Sequence, residues 1–255
     1  MKHNDRSRLH QVVPPHPLLA EHYAIAEARP AFVRALFDGA ADEYDRLNHV
    51  LSLGSGGRYR RHTLRRAGLR PGMRVLDVAT GTGLVAREAL RIAGQGACVV
   101  GLDLSGNMLA VAHRSLDLPL VQARAESLPV ADASIDLVSM GYALRHVPDL
   151  LALFREFHRV LRPGGTVLLL EIGRPAGRTA QTLARLYIRG VVPLLSGSRG
   201  SGRGRDLMRY YWDTIASCVP PEIILDSLGA GGFAAVACET SLGLFRAYVG
   251  RKPPA

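Results

Sequence analysis

"VLDVATGTGLVAREAL", residues 75–90, reads as a strand, a glycine-rich turn and the start of a helix. Glycine is needed in such a turn wherever a Cβ would block close approach of the backbone to a bound molecule. From Gly72 onward, short β-rich runs alternate with helical segments, the rhythm of a mostly parallel sheet covered on both faces. Strands are expected over 74–78, 98–103, 120–123, 135–140 and 166–172, and helices over 84–92, 106–116 and 150–161. "RPGG" (162–165) turns the chain into the fifth strand. Residues 174–212, which include "SGSRGSGRGR" (196–205), break the rhythm and read as an insertion, helical at first and then loose. A helix over 213–228 and a hairpin, "FAAVACET" (233–240) with "FRAYVG" (245–250), close the chain. The connection between those two strands is so short that they can only be antiparallel. Upstream, residues 1–20 are expected to be a flexible leader, because "VVPPHP" (12–17) is too proline-rich for a helix. Residues 21–66 are expected to form a helical cap, interrupted at Pro30 and at "LGSGG" (53–57), on a single domain over 21–255.

With 255 residues, 47% of them hydrophobic and 21% charged, the chain can bury one sizeable core. Cys98, Cys218 and Cys238 lie far apart with no CxxC, which argues against a disulfide scaffold or a zinc site and fits a reducing cytoplasm. No metal is expected. The N-terminus lacks the apolar core of a signal peptide, and nowhere do apolar residues run long enough to span a membrane. The net charge of +10 is mostly arginine and is concentrated. Residues 58–74 hold seven arginines and no acid; residues 174–209 hold eight with one acid, Asp206. Such patches suit an anionic membrane surface or an acidic substrate, and equally a solvated face. Without regular aromatic interleaving, nucleic acid is set aside.

"GTGLVA" (81–86) matches GxGxxA, and Asp103 lies about twenty residues on, where an acid accepts hydrogen bonds from ribose hydroxyls. That pattern is common to sites for nicotinamide dinucleotides, FAD and S-adenosylmethionine. Three features favour the methyl donor. Asp77, four residues before Gly81, would repel a pyrophosphate but suits the cationic amino and sulfonium groups. The alternative for Asp77 is a helix-capping or a solvated acid. The chain ends in a helix and a hairpin, not in a second nucleotide-binding half. "ARAESLPVADASIDLV" (123–138) places a polar turn after the third strand and a further strand soon after it.

"VLDVATGTG", "GLDLSGNML", "ARAESLPVAD", "ALRHV" and "RVLRPGGTVLLLEI" together resemble, in order and spacing, the class I S-adenosylmethionine methyltransferases. "FDGAADEYDRLNHVLSLG" (37–54) resembles more narrowly the N-terminal signature of the ubiquinone/menaquinone-biosynthesis C-methyltransferases. The resemblance covers roughly residues 37–252. It implies an α/β fold: a seven-stranded, mostly parallel Rossmann-like sheet with an antiparallel last strand and helices on both faces. It also implies donor contacts at the strand C-termini. By this correspondence Thr82 and the backbone of Gly81 and Gly83 flank the methionine part, and Asp103 binds the ribose. Met108 packs on the adenine, with core packing on its helix face as the alternative, and Arg124 and Ala125 border the adenine edge. Tyr44 and Asn48 close the pocket from above, and Ala79, Leu104, Glu126 and Gly141 complete the donor's surroundings.

Ring C-methylation needs a phenol to lose its proton and a ring carbon aligned with the methyl group. The family's Gly-Leu-Arg-Asn run after strand four is implicated in this step. Here the place reads "YALRHV" (142–147), with Ala143 for the glycine, Arg145 retained, and His146 for the asparagine; Gly141 falls where a serine is usual. Arg145 would hold an oxyanion or anchor the turn. His146 would accept a phenolic proton near neutral pH or cap the turn before Pro148. Arg124 stands where the family has an acid or amide facing adenine, so its side chain turns away. The family's Ser-Ile-Arg run appears as "TIASCVPPE" (214–222), without the arginine. The acceptor is therefore expected to be a hydroxylated aromatic or quinol, C-methylated, with O- or N-methylation of another metabolite or a catalytically silent role as the alternatives. The insertion is expected to form the acceptor lid. "LARLYIRGVVPLL" (183–195) suits a lipid-tailed substrate met at a membrane surface, or equally cover for the sheet or for a homodimer partner. Tyr187, Tyr210, Tyr211 and Trp212 are candidates for stacking on the acceptor ring, with a core role as the alternative for Trp212.

Overall fold

The computed structural model describes residues 12–94, 97–197 and 202–254. Seven strands form one sheet: β1 (Val75–Val78), β2 (Val99–Asp103), β3 (Leu120–Gln122), β4 (Ile135–Gly141), β5 (Leu161–Ile172), β6 (Ala234–Ser241) and β7 (Phe245–Arg251). Their order is β3-β2-β1-β4-β5-β7-β6. The first five strands pair in parallel, and β7 runs antiparallel between β5 and β6. The chain thus has the expected α/β fold with an antiparallel last strand.

Helices cover both faces, which is why the central strands β1 and β4 are buried nearly throughout and mostly apolar rather than alternating with exposed polar residues. Successive residues of β5 still go to opposite cores. Leu168, Leu170 and Ile172 join the layer that contains α1 (Arg29–Leu51), α2 (Gly56–Arg66), α3 (Leu84–Ala93) and α8 (Arg203–Ser217). Val167 and Leu169 join the layer that contains α5 (Leu150–Val160) and α9 (Pro221–Ala230). In α5, Leu150, Leu153, Phe154, Phe157 and Val160 form a buried stripe at helical spacing. The Asp149 carboxylate caps that helix by accepting from the Leu151 N–H. Between β2 and β3 lies α4 (Gly106–Ser115), and after β5 come α6 (Arg178–Leu186), a π turn (Tyr187–Val191) and α7 (Val192–Leu195).

Four expectations are corrected. The closing helix predicted over 213–228 is two helices, α8 and α9, because Pro220 and Pro221 cannot continue the first; Pro221 instead opens the second. The loose end of the insertion is helical from Arg203. There Leu207, Met208, Tyr211, Trp212 and Ile215 bury one face, and that packing outweighs the weak propensity of the glycine–arginine run. "RPGG" does not precede the fifth strand but bulges from within it, since Leu161 already pairs with Ile135 before Thr166 pairs with Leu137. Pro30 opens α1 rather than interrupting it.

The leader also differs from expectation over residues 12–20; residues 1–11 lie outside the described residues. The Val13 N–H donates to Asp149 Oδ1 at 3.1 Å, and the Val13 and Pro15 carbonyls accept from Leu150 and Val219. His16 is buried. Proline excludes a helix here but leaves the carbonyls free to pair with other elements.

Candidate active site

A cavity opens at the carboxyl ends of β1, β2 and β4, the place where open α/β sheets bind their ligands. Its floor is Ala79, Gly81, Leu104, Met108, Ala125 and Gly141, and its roof is the face of α1 that carries Val33, Phe37 and Tyr44. Both strand ends turn through left-handed backbone, Ala79 at φ 52° and Tyr142 at φ 62°. Such strain in non-glycine residues concentrates at ligand sites. Gly81 has φ 57° and open space where a Cβ would sit, on the cavity side. Gly83 has φ 84°, and a Cβ there would lie 2.2 Å from Leu116 Cδ1, so it serves packing of the turn. Gly141 plays a similar part, since a Cβ would meet Val85 at 2.6 Å.

Asp103 ends β2 in this cavity. Its Oδ2 accepts from the Gly81 N–H and its Oδ1 from the Ser105 N–H, both at 2.8 Å. Burial raises the pKa of this carboxyl, and the two N–H donors oppose the rise. Ser105 caps α4 through Met108 N–H and in turn donates to Asp38 of α1 at 2.5 Å. The roof is therefore tied to the floor beside Asp103. Asp38 was missed in the sequence. Its signal was helical spacing, because Arg34, Phe37 and Asp38 share a face of α1. Arg124 lines the rim half-exposed, 3.5 Å from Glu126, as its charge leads one to expect.

Several expected site residues lie elsewhere. Asp77 is fully buried behind the turn: Oδ1 accepts from Ser139 and Oδ2 from Thr80 and the Ala86 N–H. Desolvation pushes its pKa up to about 6 against those three hydrogen bonds. It holds β1, α3 and β4 together and has no free face for the donor's ammonium, so the capping alternative is the one realised. Thr82 is buried and donates to Asp45 Oδ1. Asn48 lines not the main cavity but a second one beside it.

Arg145 is corrected most. Its side chain is completely buried, with Nε 2.6 Å from Glu171 Oε2 and Nη1 2.8 Å from Thr214 Oγ1. Glu171 also accepts from the Leu144 N–H. The guanidinium is engaged at Nε and Nη1 and anchors the turn after β4. It cannot touch an acceptor without breaking this network.

His146, the next residue, does face the cavity. Its ring stacks on Tyr210 at 5.3 Å and meets Phe37 edge-on at 5.2 Å. Neither ring nitrogen has a partner among the described residues. Burial, with the positive charges of Arg145, His16 and Arg29, pulls its pKa well below the usual histidine value. Of the four aromatic candidates, Tyr210 adjoins the site through His146, and Tyr211 through Tyr44, hydroxyl to hydroxyl at 3.1 Å. Trp212 is core, and Tyr187 donates to the Val50 carbonyl, tying the π turn to α1.

The model of the ubiE/COQ5 methyltransferase family matches residues 23–238. The chain is similar to the demethylmenaquinone methyltransferase of Mycobacterium sp. (strain KMS), 34% identical over 232 residues, covering 91% of this chain and 98% of that one. It is also similar to the ubiquinone/menaquinone biosynthesis C-methyltransferase UbiE of Hahella chejuensis, 36% identical over 174 residues, covering 66% and 70%. Among solved structures it superposes on a SAM-dependent methyltransferase, possible histamine N-methyltransferase, from Thermotoga maritima. There the TM-score is 0.60 at 19% identity, over 86% of this chain and 99% of that one, a likeness of fold.

Proposed function

The chain belongs to the ubiE/COQ5 methyltransferase family and is an S-adenosylmethionine-dependent methyltransferase, and we propose that it methylates a ring carbon of a quinol-class aromatic in the cavity beside His146. The residues present fit the donor. Asp103 offers a carboxylate to ribose hydroxyls, Met108 and Leu104 offer an apolar bed for a purine, and Gly81 leaves room for close approach. When bound, the donor supplies an electrophilic sulfonium methyl.

The observation that carries the acceptor assignment is His146, a neutral imidazole with unpartnered nitrogens in an aromatic chamber. Its lone pair accepts the phenolic hydrogen bond, and the negative charge growing on the aryloxide beside it offsets the depressed pKa, so that the imidazole takes the proton as the ring carbon becomes nucleophilic. Phe37 and Tyr210 hold the imidazole in place. The positive field of Arg145 and Arg29, which keeps His146 unprotonated, also favours an aryloxide oxygen in the chamber. Arg145 thus acts through the field and the fold rather than by contact. In His146→Asn, kcat with a demethylated quinol falls about 100-fold, while S-adenosylhomocysteine binding by calorimetry stays unchanged. An unaltered kcat would remove His146 from the mechanism.

The reading extends to the insertion as an acceptor lid that meets an anionic bilayer. No helix among the described residues is long and apolar enough to cross a membrane. Leu183, Leu186, Leu194 and Leu195 are nonetheless exposed on α6 and α7, and Leu53 stands exposed after α1, to which Tyr187 ties the π turn. Arg178, Arg185 and Arg189 lie on the same segment. Apolar side chains flanked by arginine suit insertion among anionic headgroups. The protein should float with anionic vesicles and not with zwitterionic ones, and Leu186→Asp with Leu195→Asp should abolish flotation. Loss of a dimer in those variants, with no flotation of the wild type, would assign the face to a second copy.

A further inference from the structure

Three arginines, Arg29, Arg60 and Arg145, are buried among the described residues, and they are not equally provided for. Arg145 has Glu171 and Thr214; Arg29 donates to the Tyr23 hydroxyl and the Val147 carbonyl. Arg60, 5% exposed, has no carboxylate partner among the described residues. Among the described residues its one side-chain hydrogen bond is a long 3.4 Å contact to Asn48 Oδ1, and its Nε has no partner. Burying a guanidinium without a counter-charge is costly unless something else supplies one.

Arg60 lines the second cavity, together with Asp45 and Asn48. This cavity adjoins the main one at a definite end. The Arg60 guanidinium lies 5.4 Å from the ring of Tyr142, which lines the main cavity. The Asn48 amide donates to the carbonyl of Tyr44, another main-cavity residue, and Thr82, beside Gly81, donates to Asp45. Ribose on Asp103 and adenine near Met108 direct the donor's amino-acid tail towards Gly81, Tyr142 and Tyr44, and so to Arg60 and Asp45. The tail is a zwitterion, and the two side chains offer it one charge of each sign. Asp77, fully buried behind the turn with three protein donors of its own, is not placed to do so.

We infer that Asp45, Asn48 and Arg60 bind the α-amino-acid terminus of the methyl donor, Arg60 and the Asn48 amide taking the carboxylate and Asp45 the ammonium. This rests on the donor-binding reading of the main cavity.

The test is calorimetric titration of the full chain with S-adenosylhomocysteine and with its decarboxylated analogue. The wild type should bind the analogue roughly 10- to 100-fold more weakly, the factor for losing a charge-assisted hydrogen bond. Arg60→Met should weaken S-adenosylhomocysteine by a similar factor and leave the analogue unaffected, and Arg60→Lys should recover part of the loss. Equal wild-type affinity for both ligands overturns the assignment without recourse to any variant. Equal losses for both ligands in Arg60→Met also overturn it, giving Arg60 a role in the fold alone. Failure of the wild type to bind S-adenosylhomocysteine would overturn the donor reading itself, a distinguishable result.

Discussion

Replacing Asp103 with alanine weakens S-adenosylhomocysteine binding by about 1–3 kcal/mol, the cost of leaving buried hydroxyls without their acceptor, and calorimetry on the two proteins measures it. The structure places the effect at the upper end of that range. The carboxylate also accepts from the Gly81 and Ser105 N–H groups, so its loss loosens the glycine turn and the start of α4 together. Because burial raises the Asp103 pKa, donor affinity of the wild type should rise with pH through that raised value and then level off, since the ionised form is the better acceptor. The alanine variant should lack this pH dependence. An Asp103→Ala protein that binds with wild-type affinity would mean that the ribose is held elsewhere.

Arg145→Met loses about 3–5 kcal/mol of stability in urea unfolding, the range for breaking one side of a buried ion pair. Glu171 then stays buried, its charge met by backbone N–H groups such as those of Leu144 and Ile172. Thr214 loses its donor, and the turn that presents His146 loses its link to α8. Removing both charges, in Arg145→Met with Glu171→Gln, should cost less than the sum of the two single changes. A purely catalytic Arg145 would give the opposite pattern: wild-type stability, a fall in kcat and no coupling to Glu171.

These two residues mark where reading along the chain succeeded and where it stopped. The place of Asp103, at the end of β2 beside the glycine turn, was legible because it follows from local order: a strand, a glycine turn before it and a helix after it. Arg145 was visible as a position but not as a role. Its partners lie at 171 and 214, on a strand and a helix that the one-dimensional pattern cannot bring together. The Asp77 correction has the same cause, since its Ser139 partner comes from the neighbouring strand β4. The split between α8 and α9 differs in kind, because its signal, Pro220-Pro221, was present in the sequence and went unread.

By itself the sequence determined the alternation of strands and helices, the glycine turn and the acid at the end of β2, since each depends on hydrogen bonds and side-chain periodicity within a few residues. The tertiary structure alone decided which charges are spent. Arg145 and Asp77 are already engaged by protein partners, while Arg60 lacks a counter-charge among the described residues and His146 is left with bare nitrogens beside the cavity. Whether a polar group can act on a ligand depends on what else has already satisfied it, and in a packed interior those partners arrive from distant parts of the chain.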